Sequence, residues 1–182
     1  MGEGGTDDLW VFGYGSLMWR PGFGHLESHP ARLHGRRRAL CVWSWVHRGT
    51  QARPGLVMGL LPGGACIGRA YRVAAAEREA AIAYLDARER ATPVYVQTWR
   101  PVLLPDGRRP LALFYGVDRR HPQFAGDLPD ETAVETVLDG VGISGDNPEY
   151  LENMVAHLEE AGVHDPALSR LLALVRARRA AA

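Results

Sequence analysis

Leu9-Trp10-Val11-Phe12-Gly13-Tyr14-Gly15-Ser16-Leu17 is the stretch on which the reading of this chain turns. Its first four residues are an apolar run of strand length, and the glycines stop it, so the segment reads as a buried strand ending in a glycine-rich loop. Closely spaced glycines after a strand let successive backbone N–H groups converge on an anion, a carboxylate as readily as a phosphate. The same spacing fits a plain tight turn at the end of an edge strand, and the residues alone leave both readings open. No third glycine completes a dinucleotide fingerprint. The chain contains no lysine, so all 21 basic residues are arginine. A phosphate-loop lysine, a Schiff-base lysine and a Ser-Lys dyad are therefore excluded.

Outward from that loop, Ala39 to Val46, Leu56 to Leu61 and Ile67 to Val73 mix β-branched, aromatic and aliphatic residues between Gly and Pro punctuation and read as strands. From Ala74 to Arg90 the texture changes to Ala, Glu, Arg, Ile and Leu without Gly or Pro, as a helix requires. Val94 to Leu104 and Leu111 to Val117 return to strand, joined as a hairpin by Pro105-Asp106-Gly107. Beyond Pro129 three helices are expected, Glu131 to Gly140, Pro148 to Ala161 and Pro166 to Arg179, each opened by an Asp, Asn or Pro signal. Strands around one helix, followed by terminal helices, predict an α+β fold whose mostly antiparallel sheet curls into a small barrel.

At 182 residues and 46% hydrophobic composition the chain has the size of one domain with a proper core. We expect a single domain over residues 1–182, with residues 1–8 a flexible tail. The 21 acidic residues balance the arginines, so no net field recruits nucleic acid or an anionic membrane, and the expected partner is a small molecule. Cys41 and Cys66 supply neither a disulfide framework nor a zinc site, and reduced thiols are expected. Glu3, Asp7 and Asp8 stand where a signal peptide carries positive charge, and no apolar run reaches the ~18 residues of a membrane span, so a cytoplasmic protein is expected. Met1-Gly2 with Thr6 fits a loose acylation pattern that a Gly-rich tail explains equally.

Among candidate chemical groups, Glu89 lies four residues after Leu85 and seven after Ile82, which puts its carboxylate on the stripe of the core-facing residues. A carboxylate so placed is desolvated, and its pKa rises toward the range useful for proton transfer. Periodicity alone leaves open that Arg88-Glu89-Arg90 is a solvated cluster at a fraying helix end. Neither His47, His121, His157 nor the other histidines have metal-ligand spacing, and no metal or cofactor is expected. Arg36-Arg37-Arg38 reads as a hydrated run, and Ser144 in Gly142-Ile143-Ser144-Gly145 as a turn residue, no nucleophile elbow being present.

Trp10 to Trp19, with Pro21-Gly22-Phe23, resembles the opening of the ChaC family of glutathione-specific γ-glutamylcyclotransferases. The similarity continues in order through His47-Arg48-Gly49-Thr50, Pro54-Gly55-Leu56-Val57, Gly68-Arg69-Ala70-Tyr71-Arg72-Val73, Arg88-Glu89 with Tyr95, and Ser144-Gly145-Asp146-Asn147-Pro148-Glu149-Tyr150-Leu151. Where many members carry glycines after the catalytic glutamate, this sequence has Ala91-Thr92-Pro93-Val94. The resemblance implies a γ-glutamylcyclotransferase-like fold that converts glutathione to 5-oxoproline and cysteinylglycine without a cofactor. It also implies Glu89 as the acid/base, and the loop Gly13, Tyr14, Gly15, Ser16 and Leu17 as the cradle of the γ-glutamyl group. Tyr115 is a further candidate whose hydroxyl either reaches substrate or is satisfied in the core. No obligate protein partner is evident. Two alternatives accompany this reading: a cyclotransferase for other γ-glutamyl amides or amines, and a non-catalytic module that binds γ-glutamyl ligands.

Overall fold

The computed structural model describes residues 7–89 and 92–182. Met1, Gly2, Glu3 and Thr6, hence the acylation pattern and most of the expected tail, lie outside the described residues, as do Arg90 and Ala91. Strands β1 (Leu9–Gly13), β2 (Glu27–Ser44), β3 (Gly55–Val73), β4 (Tyr95–Pro101) and β5 (Leu111–Val117) form one sheet in the order β2-β3-β1-β5-β4. Among the described residues four α-helices accompany them: α1 (Arg78–Glu89), α2 (Asp130–Asp139), α3 (Asn147–Glu160) and α4 (Pro166–Ala180). Two short strands, β6 (Val141–Gly142) and β7 (Gly145–Asp146), pair separately with Ile143 and Ser144 at their turn. The expected α+β class is what the chain adopts.

β1 runs antiparallel to β3, from Leu9 opposite Val73 to Gly13 opposite Arg69, and parallel to β5, with Trp10 opposite Ala112 and Val11 opposite Leu113. The Gly68–Val73 motif thus lies directly beside the opening stretch. Gly68 is required by that approach, because a Cβ there would stand 2.3 Å from the Gly13 carbonyl oxygen. The sheet curls: Arg32 of β2, at one edge, exchanges both backbone hydrogen bonds with Leu103, beyond β4 at the other, each at 2.9 Å. The β4–β5 hairpin is closed by Val102 N–H to Pro110 at 3.0 Å and Leu104 N–H to Arg108 at 2.9 Å, with Gly107 at φ +88° in its turn.

Four local expectations are corrected. Leu56–Leu61 and Ile67–Val73 are one strand, since Gly63 and Gly64, at φ +93° and +65°, carry β3 through a kink that other residues resist. Likewise β2 extends back through Gly35 at φ +77° to Glu27. The stretch from Ala74 begins as a 3₁₀ turn, Ala75–Glu77, before α1 starts at Arg78. Within the triple-arginine run Arg38 is buried, 3.7 Å from the Asp165 carboxylate, rather than hydrated.

Packing divides the chain into two compact units, one with the residues up to Gly35 and Gly64–Gly116, the other with Arg36–Gly63 and Val117–Ala182. The first unit's core joins Leu9 and Val11 of β1, Val73 of β3, Leu113 and Tyr115 of β5, and Ala81 and Leu85 of α1. Leu17, from the glycine loop, belongs to the same cluster. In the second unit α2, α3 and α4 pack together. α3 and α4 are capped by Asp146 and Asp165, whose side chains accept from Glu149 and Leu168 N–H at 2.7 and 3.1 Å. Asn147 is wholly buried and pairs reciprocally with Leu56, accepting from its N–H at 2.6 Å and donating to its carbonyl at 2.8 Å. Among the described residues no helix is long and apolar enough to cross a membrane.

Candidate active site

Every residue singled out as a site candidate lies in the first unit. β1 ends at Gly13, and Ser16–Met18 form a single 3₁₀ turn, closed by Met18 N–H onto the Gly15 carbonyl at 2.9 Å. In such a turn the N–H groups of Ser16 and Leu17 have no acceptor within the turn itself. Gly13 is there because the loop folds back over it: a Cβ would stand 2.8 Å from Leu17 Cβ and 3.2 Å from the Met18 nitrogen.

Three side chains hold this loop in place. The buried Tyr71 hydroxyl of β3 lies 2.8 Å from both the Leu17 and the Met18 carbonyl oxygens. Tyr14 donates its hydroxyl to the Tyr115 carbonyl of β5 at 2.6 Å. Arg88, in the last turn of α1, donates to Ser16 Oγ at 2.8 Å and to the Arg20 carbonyl at 2.6 Å.

Glu89 is the last residue of α1. Ala81, Leu85 and Glu89 recur every four residues, and the first two are in the core, so the helix delivers the carboxylate to its buried face. The side chain retains only 21% of its exposure. Burial pushes its carboxyl above the usual carboxylate range, while the Arg88 guanidinium, with Nε 3.6 Å from Oε1, pulls the other way and is outweighed. A carboxyl raised in this manner exchanges protons nearer neutrality than an exposed one.

Tyr115 is 2% exposed, and its hydroxyl donates to Asp86 Oδ1 at 2.7 Å. Gln97 donates to the same oxygen at 2.7 Å. Burial first, then the bond to Asp86 and its charge, raise the Tyr115 pKa, and the charge of Glu89 adds to the effect. The phenol is thus held protonated with its hydrogen committed to Asp86.

Arg88, Tyr71 and Asp86 were not among the candidates read from sequence. Arg88 looked like a member of a solvated cluster because its acceptors, Ser16 and Arg20, lie about 70 residues away, beyond any local signal. Tyr71 was visible only as part of a strand motif. The remaining motifs meet each other within the second unit, where His47 Nδ1 and Ser144 Oγ are 2.8 Å apart. Nearby, Arg48 donates to the Asp146 carbonyl at 3.1 Å and lies 5.5 Å over the Tyr150 ring. Among the described residues no three His, Cys, Asp or Glu side chains gather as metal ligands.

This arrangement of sheet, loop and helix belongs to a known class of fold: a solved γ-glutamyl cyclotransferase specific to glutathione from yeast superposes with a TM-score of 0.82, at 24% identity, over 95% of this chain and all of the other. The chain is a member of the ChaC-like protein family, whose model matches residues 9–178. It is 35% identical over 168 residues to the glutathione-specific gamma-glutamylcyclotransferase of Escherichia coli, covering 92% of this chain and 73% of that protein. The human glutathione-specific gamma-glutamylcyclotransferase 1 is 34% identical over 166 residues, covering 88% and 74%.

Proposed function

We propose that this protein is a cytoplasmic, single-domain γ-glutamylcyclotransferase that acts on glutathione and yields 5-oxoproline and cysteinylglycine. The observation that carries the reading is Glu89: a carboxylate delivered to the buried face of α1, raised in pKa by that burial, and linked through Arg88 to a glycine loop at the end of β1.

Glutathione contains its own nucleophile. The α-amine nitrogen attacks the γ-carbonyl carbon, a five-membered lactam closes, and the amide bond to cysteine breaks. The α-ammonium first gives up one proton to become the nucleophilic amine. Glu89 accepts the second, which that nitrogen sheds as the C–N bond forms, and returns it to the departing amine. That amine then takes one proton back from solvent as it becomes an ammonium, so the reaction needs neither water nor a net proton. An α-amine with a pKa of about 8 is partly free near neutrality, which leaves protonation of the leaving group as the harder step. A carboxyl at its ordinary pKa rarely holds a proton at pH 7, and the burial that raises Glu89 moves it toward that demand. The N–H groups of Gly15, Ser16 and Leu17 serve as the cradle of the substrate carboxylate, with Gly13 allowing the close turn and Tyr14 forming a wall. Tyr115 is assigned to holding that wall through its carbonyl.

The test is chromatography of purified protein incubated with glutathione. Equimolar 5-oxoproline and cysteinylglycine, undiminished after dialysis against a chelator, is the expected result. Their absence refutes the reading. Faster turnover of γ-glutamyl-alanine than of glutathione instead assigns the enzyme to other γ-glutamyl amides, since loop and Glu89 address only the glutamyl half.

A further inference from the structure

One guanidinium joins the two halves of the site. Arg88 Nη2 donates to Ser16 Oγ at 2.8 Å, and Nη1 donates to the Arg20 carbonyl at 2.6 Å and to the Tyr84 hydroxyl at 3.2 Å. The side chain therefore grips the glycine loop at the start of its 3₁₀ turn and again just beyond it. Its Nε faces Glu89 Oε1 at 3.6 Å. An arginine at a helix C-terminus is ordinarily explained by the helix dipole and the last carbonyls, but the acceptors here lie on another segment altogether. The planar fork matters, because a lysine ammonium at the end of a flexible stem does not span such separated acceptors from one fixed position.

We propose that Arg88 is a positioning residue that couples the glycine loop to Glu89, holding substrate cradle and proton carrier in one geometry. This rests on the reading of Glu89 as the acid/base. Two consequences separate coupling from plain structural support. Loss of the fork frees the loop, which weakens the cradle and raises KM. Loss of the positive charge removes what opposes burial at Glu89, so the Glu89 carboxyl titrates at still higher pH. Arg88 on its own helix and Tyr115 on β5, the latter held to Asp86, are titratable groups that interact with Glu89. Neither Tyr115 nor Asp86 changes in the variants used.

The experiment compares wild type, Arg88→Lys and Arg88→Met by steady-state kinetics across pH, by amide hydrogen exchange of Ser16, Leu17 and Met18, and by carbon-13 titration of the Glu89 carboxyl. Both variants are expected to raise KM for glutathione and to speed loop exchange by about tenfold or more. Arg88→Met is further expected to move the acid limb of kcat/KM and the Glu89 titration to higher pH, whereas Arg88→Lys, which keeps the charge, leaves both near their wild-type position. KM and loop exchange within about twofold of wild type in both variants overturn the proposal, as does an unmoved Glu89 titration in Arg88→Met. Should Arg88→Met fail to fold, KM and loop exchange in Arg88→Lys decide. Wild-type protein that makes no 5-oxoproline refutes the activity alone, because exchange and carboxyl titration still report whether the coupling exists.

Discussion

Replacing Glu89 by glutamine keeps the shape of the side chain and removes its ability to carry a proton. General acid/base groups contribute about 10²–10⁴-fold, equivalent to roughly 3–5 kcal/mol of transition-state stabilisation, and kcat should fall by that much with little change in glutathione binding. The structure adds a second, opposite effect. With the carboxyl raised above its ordinary 4.5 by burial, its protonated form is favoured in the folded state. Such a group contributes stability below pH 4.5 and loses it as pH rises through the folded value. Glutamine does not ionise, so Glu89→Gln should melt higher than wild type at pH 8 and lose that advantage at pH 4. Kinetics by 5-oxoproline release and thermal melts at both pH values measure the two effects on one preparation. A solvated glutamate would instead leave kcat nearly intact and change stability by no more than about 0.5 kcal/mol at either pH. Retention of more than a few tenths of wild-type kcat refutes the assignment.

Gly13→Ala drives a Cβ to 2.8 Å from Leu17 Cβ, an overpacking expected to cost about 1–3 kcal/mol and to displace the loop, so KM should rise with kcat less affected; an unchanged KM counts against the cradle. Tyr115→Phe removes the 2.7 Å bond to Asp86 while Gln97 remains on that carboxylate, so we expect a loss of about 1 kcal/mol in denaturant unfolding and kcat within about threefold of wild type. A larger fall in kcat would return the phenol to the substrate. Asn147→Ala strands the Leu56 N–H and carbonyl in a wholly buried position, at about 1–3 kcal/mol for each group, which a shifted urea midpoint at constant slope reports.

The sequence by itself determined the elements that local chemistry specifies. The apolar run at Leu9–Phe12 with the glycines after it, the turn at Pro105-Asp106-Gly107, and the Asp-Pro and Asn-Pro starts of the terminal helices all appear where their residues predict, because strand, turn and cap preferences act over a few neighbours. The stripe Ile82, Leu85 and Glu89 was equally legible, since helical period alone puts these residues on one face. What periodicity left undecided was whether the end of that stripe is wet or buried, which depends on the segments folded against it. Only the tertiary structure supplied the packing that raises the Glu89 pKa, the reach of Arg88 to Ser16 and Arg20, the Tyr71 hydroxyl at the Leu17 and Met18 carbonyls, and the commitment of the Tyr115 hydroxyl to Asp86. Those contacts join residues dozens of positions apart, and hydrogen bonds and desolvation act through space, so no window of sequence contains them.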